Sequence, residues 1–418
     1  MLKESIREIV EIQHREIAKI DPGVKRDTLD SVDVDSPLAV IISGVRRCGK
    51  STLLKQIMKK TDGFCYFNFE DERAINFEVS DFDRLDKIFE EVAPGPCRYF
   101  FDEIQNVPGW ERFVRRKLDQ DKKFFITGSN SSLLSKELGT KLTGRHLTYE
   151  LFPFSYTETL RLKKQPPSLP TFEAYLKSGG FPGYLKYDND MMLQQVFDDI
   201  TIKDIVVRYG LKDPVLIKNL AIYLMTNAGK EFSYNGLRKA FDIGTATTVS
   251  NIVSYFEDSY LISTVPKFSY SYKKQIRNPK KAYAIDHGLA RANSVSFSRD
   301  MGRILENVVF LHLRRRYKEI FYFRERHECD FIVKDRDSSL LALQVCYRLD
   351  EDNLRREIKG LQEAMETLGI KKGTIVTLDQ EDQMGDIQVI PAWKLAVETW
   401  PETSSQRETI SISNQGSF

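Results

Sequence analysis

The sequence predicts an α/β chain: a parallel sheet with helices on both faces, then a helical and winged-helix region, then a smaller C-terminal α/β domain. Three observations predict it. Short apolar runs alternate with helical stretches up to about residue 155. Three helical patterns with short turns fill residues 214–262, and from about residue 300 strands and helices alternate again.

In chain order, residues 1–36 read as one polar, amphipathic helix followed by a loop rich in Asp, Ser and Pro. The apolar runs Leu38–Ser43, Phe64–Phe69, Tyr99–Phe101, Phe124–Thr127 and Leu147–Leu151 are the strands of a domain over 37–155. Pro153 and the segment KKQPPSLPTF mark a change of organisation, and a helical lid or linker region follows over 156–212, interrupted by Gly179-Gly180-Phe181-Pro182-Gly183. Residues 213–295 fit a winged-helix-like domain. Its helices run over 215–227, Ser233–Phe241 (opened by a Ser233 cap) and Thr245–Asp258, the last in the recognition position after a turn at Gly244. The last α/β domain, 296–400, has a helix at Ile304–Arg316, strands near Ile320–Phe323, Cys329–Val333 and Leu340–Tyr347, a helix at Asn353–Leu368 and a strand at Gly373–Leu378. The polar tail 401–418 has too few large apolar residues to order itself and is expected to be disordered.

Composition excludes several classes of function. Of 418 residues, 41% are hydrophobic and 29% charged, the balance of a globular protein. A net charge of +2 excludes a uniformly basic coat for nucleic acid, so any such contact must be a local patch. No apolar run is long enough to span a bilayer, so no membrane partner is expected. The five cysteines are scattered, form no CxxC pair and are odd in number, a poor disulfide framework. A reducing, cytoplasmic location is expected.

The chemistry begins at Gly44-Val45-Arg46-Arg47-Cys48-Gly49-Lys50-Ser51, which matches G-x-x-x-x-G-K-[ST] at every fixed position. A buried strand precedes it and a helix follows. Glycines let successive N–H groups turn inward on phosphate oxygens, and the helix N-terminus adds its positive end. Residues 44–52, through Thr52, are therefore expected to cradle ATP, with Lys50 reaching the β- and γ-phosphates and Ser51 ligating Mg²⁺. The apolar strand ending in Asp102-Glu103 supplies a carboxylate for the metal, Asp102, and one to polarise the attacking water, Glu103. The next strand opens into Ser129-Asn130. Either residue is a candidate for contact with the γ-phosphate or the water, and Asn130 is taken as catalytic; the same pair also fits a cap of the helix that follows. Arg145 is a candidate cation for the γ-phosphate, in cis or as a finger into a neighbouring subunit of a homo-oligomer; a surface ion pair is the competing reading.

GVRRCGKSTLL, YFNFEDERA, YFFDEIQNVPGWERFVR, FITGSNSSLLSKELGTKLTGR and LFPFSYTE together resemble a large archaeal and bacterial family of predicted AAA-type ATPases whose C-terminal half is a domain of unknown function. The resemblance is dense over 38–160 and looser over 175–350. It implies an ASCE-type P-loop core with Glu103 as catalytic acid beside Asp102, a winged-helix-like part and a restriction-endonuclease-like C-terminal part.

Two further readings concern partners. The segment from Lys267 to Lys281 holds Lys267, Lys273, Lys274, Arg277, Lys280 and Lys281 with three aromatics and no acid, a pattern suited to phosphates and to packing on sugars or bases. The recognition helix has no Arg or Lys, which argues against strong base readout. DNA is the expected partner, and docking of a protein is the alternative. In the last domain Glu306, Asp330 and Gln344-Val345-Cys346 follow the order of an endonuclease core. Gln344 replaces the acid and Cys346 the lysine, so a binding module rather than an active nuclease is expected. His327 and Cys329 lack a second ligand pair for zinc.

Overall fold

The computed structural model describes residues 1–61, 63–93, 95, 97–129, 142, 144–294, 300–335 and 337–397. The expected tail, the helix after Ser129 and Asn130 itself lie outside these residues. The chain divides into two compact units. One comprises Met1–Phe154, Ser178–Thr264 and Pro279–Ser296; the other comprises Ser155–Lys177, Val265–Asn278 and Phe297–Phe418.

The first unit is built on five parallel strands: β1 (Ala39–Gly44), β2 (Phe64–Asn68), β3 (Arg98–Asp102), β4 (Phe124–Gly128) and β5 (His146–Leu151). Their spatial order is β2-β3-β4-β1-β5. All six residues of β1 are buried, as a central strand covered on both faces requires. Parallel pairing gathers the strand C-termini at one edge, so Gly44, Asp102 and Gly128 share it. β4 separates the P-loop strand from the Asp102 strand. The N-terminal helix, Lys3–Lys19, buries Ile6, Ile9, Val10, Gln13 and Ile17 at helical spacing. Beneath lies an aromatic core in which Phe82 stacks on Phe113 with centroids 4.7 Å apart. Cys65 and Cys97 form a disulfide, Cα to Cα 6.0 Å. This corrects the expectation drawn from the cysteine count: one pair forms, joining β2 to the start of β3, and three thiols remain free.

The glycine run after Ser178 has a packing cause. A Cβ on Gly180 would stand 2.1 Å from the Phe154 carbonyl oxygen. That closeness lets Phe154 N–H donate to Gly180 O at 2.7 Å, and Gly180 N–H donate to the buried Asp286 carboxylate at 2.6 Å. A helix at Asp190–Asp198 runs into a π-helical segment, Asp199–Val207. Next come helices at Pro214–Thr226, Tyr234–Ala240 and Ala246–Asp258, with Ser233 and Thr245 capping the last two as their hydroxyls accept from Gly236 N–H and Thr248 N–H at 3.0 Å. Three strands complete this part: β6 (Glu231–Phe232), β7 (Ile262–Pro266) and β8 (Lys280–Ala284), ordered β6-β8-β7.

The second unit carries β9 (Glu319–Arg324), β10 (Glu328–Lys334), β11 (Leu340–Val345), β12 (Gly373–Thr377), β13 (Asp382–Met384) and β14 (Ile387–Pro391), in the order β13-β14-β12-β11-β10-β9. β11, β12 and β14 run parallel; the other pairs are antiparallel. The helix Leu354–Leu368 covers β10 and β11. The basic segment after β7 belongs to this unit. Phe268 N–H donates to Tyr322 O at 2.7 Å and the Phe268 ring meets Phe321 edge-on at 5.5 Å, so the segment adds to β9, and Tyr272–Arg277 coil into a short helix.

Candidate nucleotide site

The P-loop bends as a phosphate cradle must. Gly49 has φ 102° and Arg47 φ 63°, left-handed conformations that turn neighbouring amides toward one centre. Gly44 serves close approach: a Cβ there would lie 2.2 Å from the Leu151 carbonyl oxygen across the β1–β5 pairing. Arg26, which sequence reasoning missed, braces the loop from behind. Its buried guanidinium donates to Cys48 O and Phe152 O, both at 2.7 Å, and lies 4.9 Å from the Phe154 ring. The Cys48 thiol is shut in the core and burial pushes its pKa up, so it is inert.

Lys50, the first residue of the helix Lys50–Met58, is 4% exposed and donates to Gly44 O and Val45 O at 3.3 Å, with Glu103 Oε1 at 3.5 Å. Asp102, buried at the end of β3, accepts from the Thr127 hydroxyl and from Tyr66 OH at 3.4 Å, and the Ser51 hydroxyl also bonds to it. Glu103 turns out of the strand with φ 52°; its N–H donates to Thr127 Oγ1 at 2.9 Å. Gln105 Nε2 donates to Glu103 Oε2 at 2.5 Å and to Ser129 Oγ at 3.4 Å, while Gln105 Oε1, also buried, has no hydrogen-bond partner among the described residues.

Electrostatics separate the two acids. Burial, then the neighbouring Glu103, push Asp102 above the usual carboxylate range, against the hydrogen bonds from Thr127 and Ser51. Burial acts on Glu103 too, but Lys50 and the Gln105 amide outweigh it and hold Glu103 below its ordinary value. Burial likewise opposes the Lys50 charge, and Glu103, Cys48 and Asp102 together more than offset it, so its pKa is raised. The pair therefore stays ionised.

The two loop arginines have partners that the sequence did not announce. Arg46 makes a bidentate pair with Asp204, both bonds 3.0 Å, and reaches Glu70 at 3.3 Å. Arg47 meets Asp199 at 3.2 Å. Both acids are buried and lie on the π-helical segment.

Other expected residues fall elsewhere. Arg145 pairs with exposed Asp119, and its carbonyl accepts from Ala39 N–H at 3.0 Å. Because Ala39 faces His146 in register, Arg145 lies at the far end of β1 from Gly44, roughly 16 Å along the strand. That corrects the expectation of a contact in cis. Lys281 is 1% exposed, and Lys280 is half-buried over the Tyr234 ring at 5.7 Å, its pKa lowered by burial. Both stand in β8 of the first unit and outside the residues that line the basic patch. Lys267, Lys273, Lys274 and Arg277 remain on it. In the second unit Gln344 donates to Glu357 at 2.7 Å and accepts from Asp330 N–H at 3.1 Å, while Asp330 accepts from Val345 N–H at 3.0 Å. Burial pushes the Cys346 thiol up to about 11, so it supplies no lysine-like charge. Among the described residues no group of three or more His, Cys, Asp or Glu is placed to hold a metal.

An AAA domain matches residues 36–160, and two domains of unknown function, DUF8612 and DUF4143, match 169–299 and 301–395. A Methanocaldococcus jannaschii protein, MJ1544, is 34% identical over 94% of this chain and 95% of its own length. A Haemophilus influenzae protein is 29% identical over 76% of this chain and 84% of its own. The replication initiator DnaA, solved with AMPPCP and single-stranded DNA, matches 59% of this chain and 87% of its own at 15% identity and a TM-score of 0.28. On the sequence relationship to MJ1544, with an AAA domain at the front, this chain belongs to the archaeal and bacterial family of predicted AAA-type ATPases.

Proposed function

We propose that this chain is a Mg²⁺-dependent ATPase whose turnover responds to nucleic acid. One observation carries the first part: Lys50, Ser51, Asp102 and Glu103 converge at the C-terminal edge of one parallel sheet, beneath a loop whose amides turn inward. These residues fit the implied cation. Mg²⁺ takes few protein ligands and keeps waters and phosphate oxygens, and a hydroxyl and a carboxylate already in contact suit it. When bound, it would neutralise charge on the β- and γ-phosphates, and Asp102, whose ionisation burial opposes, would gain a counter-charge.

The amides of residues 44–52 hold the triphosphate, and Lys50 exchanges its loop carbonyls for phosphate oxygens. Glu103, ionised beside Lys50 and steered by Gln105, accepts a proton from the water that attacks the γ-phosphorus; ADP and phosphate leave. Ser129, 2% exposed, stands within reach of Gln105 on the same edge. Arg145, exposed and remote from its own P-loop, is left for a neighbouring subunit in a homo-oligomer.

The nucleic-acid part rests on the order helix, strand, helix, helix, strand, short helix, strand over 214–284, which is that of a winged helix with a helical turn inserted in its wing, and on the basic segment after β7. The second unit serves binding, not cutting, because Gln344 and Cys346 stand where an acid and a lysine would be needed.

Phosphate release is the measurement. Lys50→Ala should lower Mg²⁺-ATP turnover by about 10²-fold or more. Glu103→Gln should slow turnover by about 10²- to 10⁴-fold while ATP still binds. Unchanged turnover in Lys50→Ala would remove the site. A turnover indifferent to added DNA and RNA at low salt would remove the coupling.

A further inference from the structure

We propose that the segment Lys267–Asn278 is a binding site for single-stranded nucleic acid, read through base stacking as well as phosphate charge. This names the form of partner that the coupling proposal leaves open, and rests on that proposal only for the link to turnover.

The site is a cavity of about 630 Å³ lined by Lys273, Lys274, Arg277, Ser269, Asn278 and Glu325, all within the second unit. Other cations singled out in this chain are already matched: Arg46, Arg47 and Lys50 each have an acid, and Lys267 meets Glu325 at 3.1 Å. Lys273, Lys274 and Arg277 differ. They are exposed, and none forms an ion pair among the described residues. Three unmatched cations around one cavity attract a partner with closely spaced anionic charge.

Charge alone would suit a duplex equally well. The aromatic residues decide. Tyr270 is 85% exposed and Tyr272 75% exposed, and Ile276 beside them is 54% exposed. Tyr270 stands edge-to-face on Phe268, centroids 5.3 Å apart, and Phe268 is itself anchored on Phe321, so the ring has a fixed footing. A fixed, open aromatic face beside phosphate-binding cations is a platform for a base, and bases within a duplex have no free face to offer. The helix Ala246–Asp258 argues the same way: its exposed residues Thr247, Thr248, Asn251 and Ser254 bring no cation to anchor a duplex backbone. Glu325 supplies a built-in competitor. It holds Lys267 at rest, and a phosphate arriving at Lys267 displaces it.

The test is fluorescence anisotropy of the full chain with a labelled oligothymidylate and with a duplex of equal length, over a salt series. The single strand should bind more tightly. Tyr270→Ala with Tyr272→Ala should weaken it by about tenfold or more, since each stacked ring contributes about 1–3 kcal/mol. Tyr270→Phe with Tyr272→Phe should restore it, because the ring and not the hydroxyl stacks. Lys273→Glu with Lys274→Glu should weaken it and lower the salt slope by about 0.7 for each phosphate no longer neutralised. All these positions are exposed, so unchanged melting curves and unchanged basal ATP turnover are the controls. Equal or tighter binding of the duplex, or unchanged binding by the tyrosine-to-alanine variant, overturns the site. So does a preference for anionic vesicles or an acidic peptide over the oligonucleotide. Single-strand binding that leaves turnover untouched ends the coupling proposal and spares the site; duplex-stimulated turnover indifferent to the tyrosine and lysine variants does the reverse.

Discussion

Asp102 and Glu103 are chain neighbours with opposite electrostatic fates, and the cause is which charge each one faces. Asp102 points into Thr127 and Tyr66 and feels Glu103 as a like charge; Glu103 points at Lys50. His312 shows the same logic where no partner compensates. Burial of its ring, then the charges of Arg315 and Arg316, lower its pKa from 6.5 to about 4. Some of the residue's surface stays accessible, but the surrounding protein is what opposes protonation. The folded state therefore binds fewer protons than the unfolded chain between these two values, so stability falls as pH drops from 6.5 through about 4, and the loss is complete below that. His312→Gln should flatten this part of the profile. Melting temperature measured against pH for both proteins checks it: the gap between the curves should change only across that window, and parallel curves would refute the assignment.

At the scale of elements, the π-helical segment Asp199–Val207 explains how the P-loop is held from the side. In an α-helix, residues five apart diverge by about 140°. A wider i→i+5 winding brings them nearly into line, so Asp199 and Asp204 can both face the loop and take Arg47 and Arg46. Asp204 is 2% exposed, and its loss would leave Arg46 half-buried without its bidentate partner. Asp204→Ala should cost about 3 kcal/mol in denaturant unfolding and raise the KM for ATP, while Asp198→Ala, at a pair with Lys218 that is open to solvent over part of its surface, should cost under about 1 kcal/mol. Equal costs for the two would mean that the clamp contributes nothing. None of this is legible in the sequence. The P-loop and the Asp102-Glu103 strand end are local patterns, a strand, a turn and a helix read within a few residues. Arg26, Asp199 and Asp204 act through contacts far along the chain, Gln105 through a bond to Glu103 that no local pattern marks, and acids spaced by five match no ordinary helical period. β13 escapes sequence reading because Asp382–Met384 is a polar edge held by pairing alone. The short helix Tyr272–Arg277 has no apolar periodicity to announce it, because its one tyrosine and two lysines bury nothing.

At the scale of the whole molecule, the sequence divides naturally into consecutive blocks, whereas the fold assigns the chain alternately to two units. Periodicity marks where a helix starts; it does not say which sheet that helix will cover, and Phe268 found β9 through one backbone hydrogen bond and one ring contact. The candidate nucleotide site, by contrast, draws all its groups from the first unit: Arg26, residues 44–52, Asp102 to Gln105, Thr127, Asp199 and Asp204. Binding energy must then enter through β1, β3, β4 and the π-helical segment together. At a free ATP concentration of a hundred times Kd, linkage stabilises the bound state by about 2.7 kcal/mol, or about a hundredfold in amide exchange limited by global opening. Hydrogen exchange followed by mass spectrometry on Glu103→Gln with Mg²⁺-ATP should show that slowing in peptides covering 39–58, 98–106 and 124–128, with a smaller effect over 199–207. Lys50→Ala should show none of it at the same ATP concentration. Protection that appears in β9 to β14 while β1 exchanges as before would place the nucleotide in the other unit, and the P-loop would then be a structural turn.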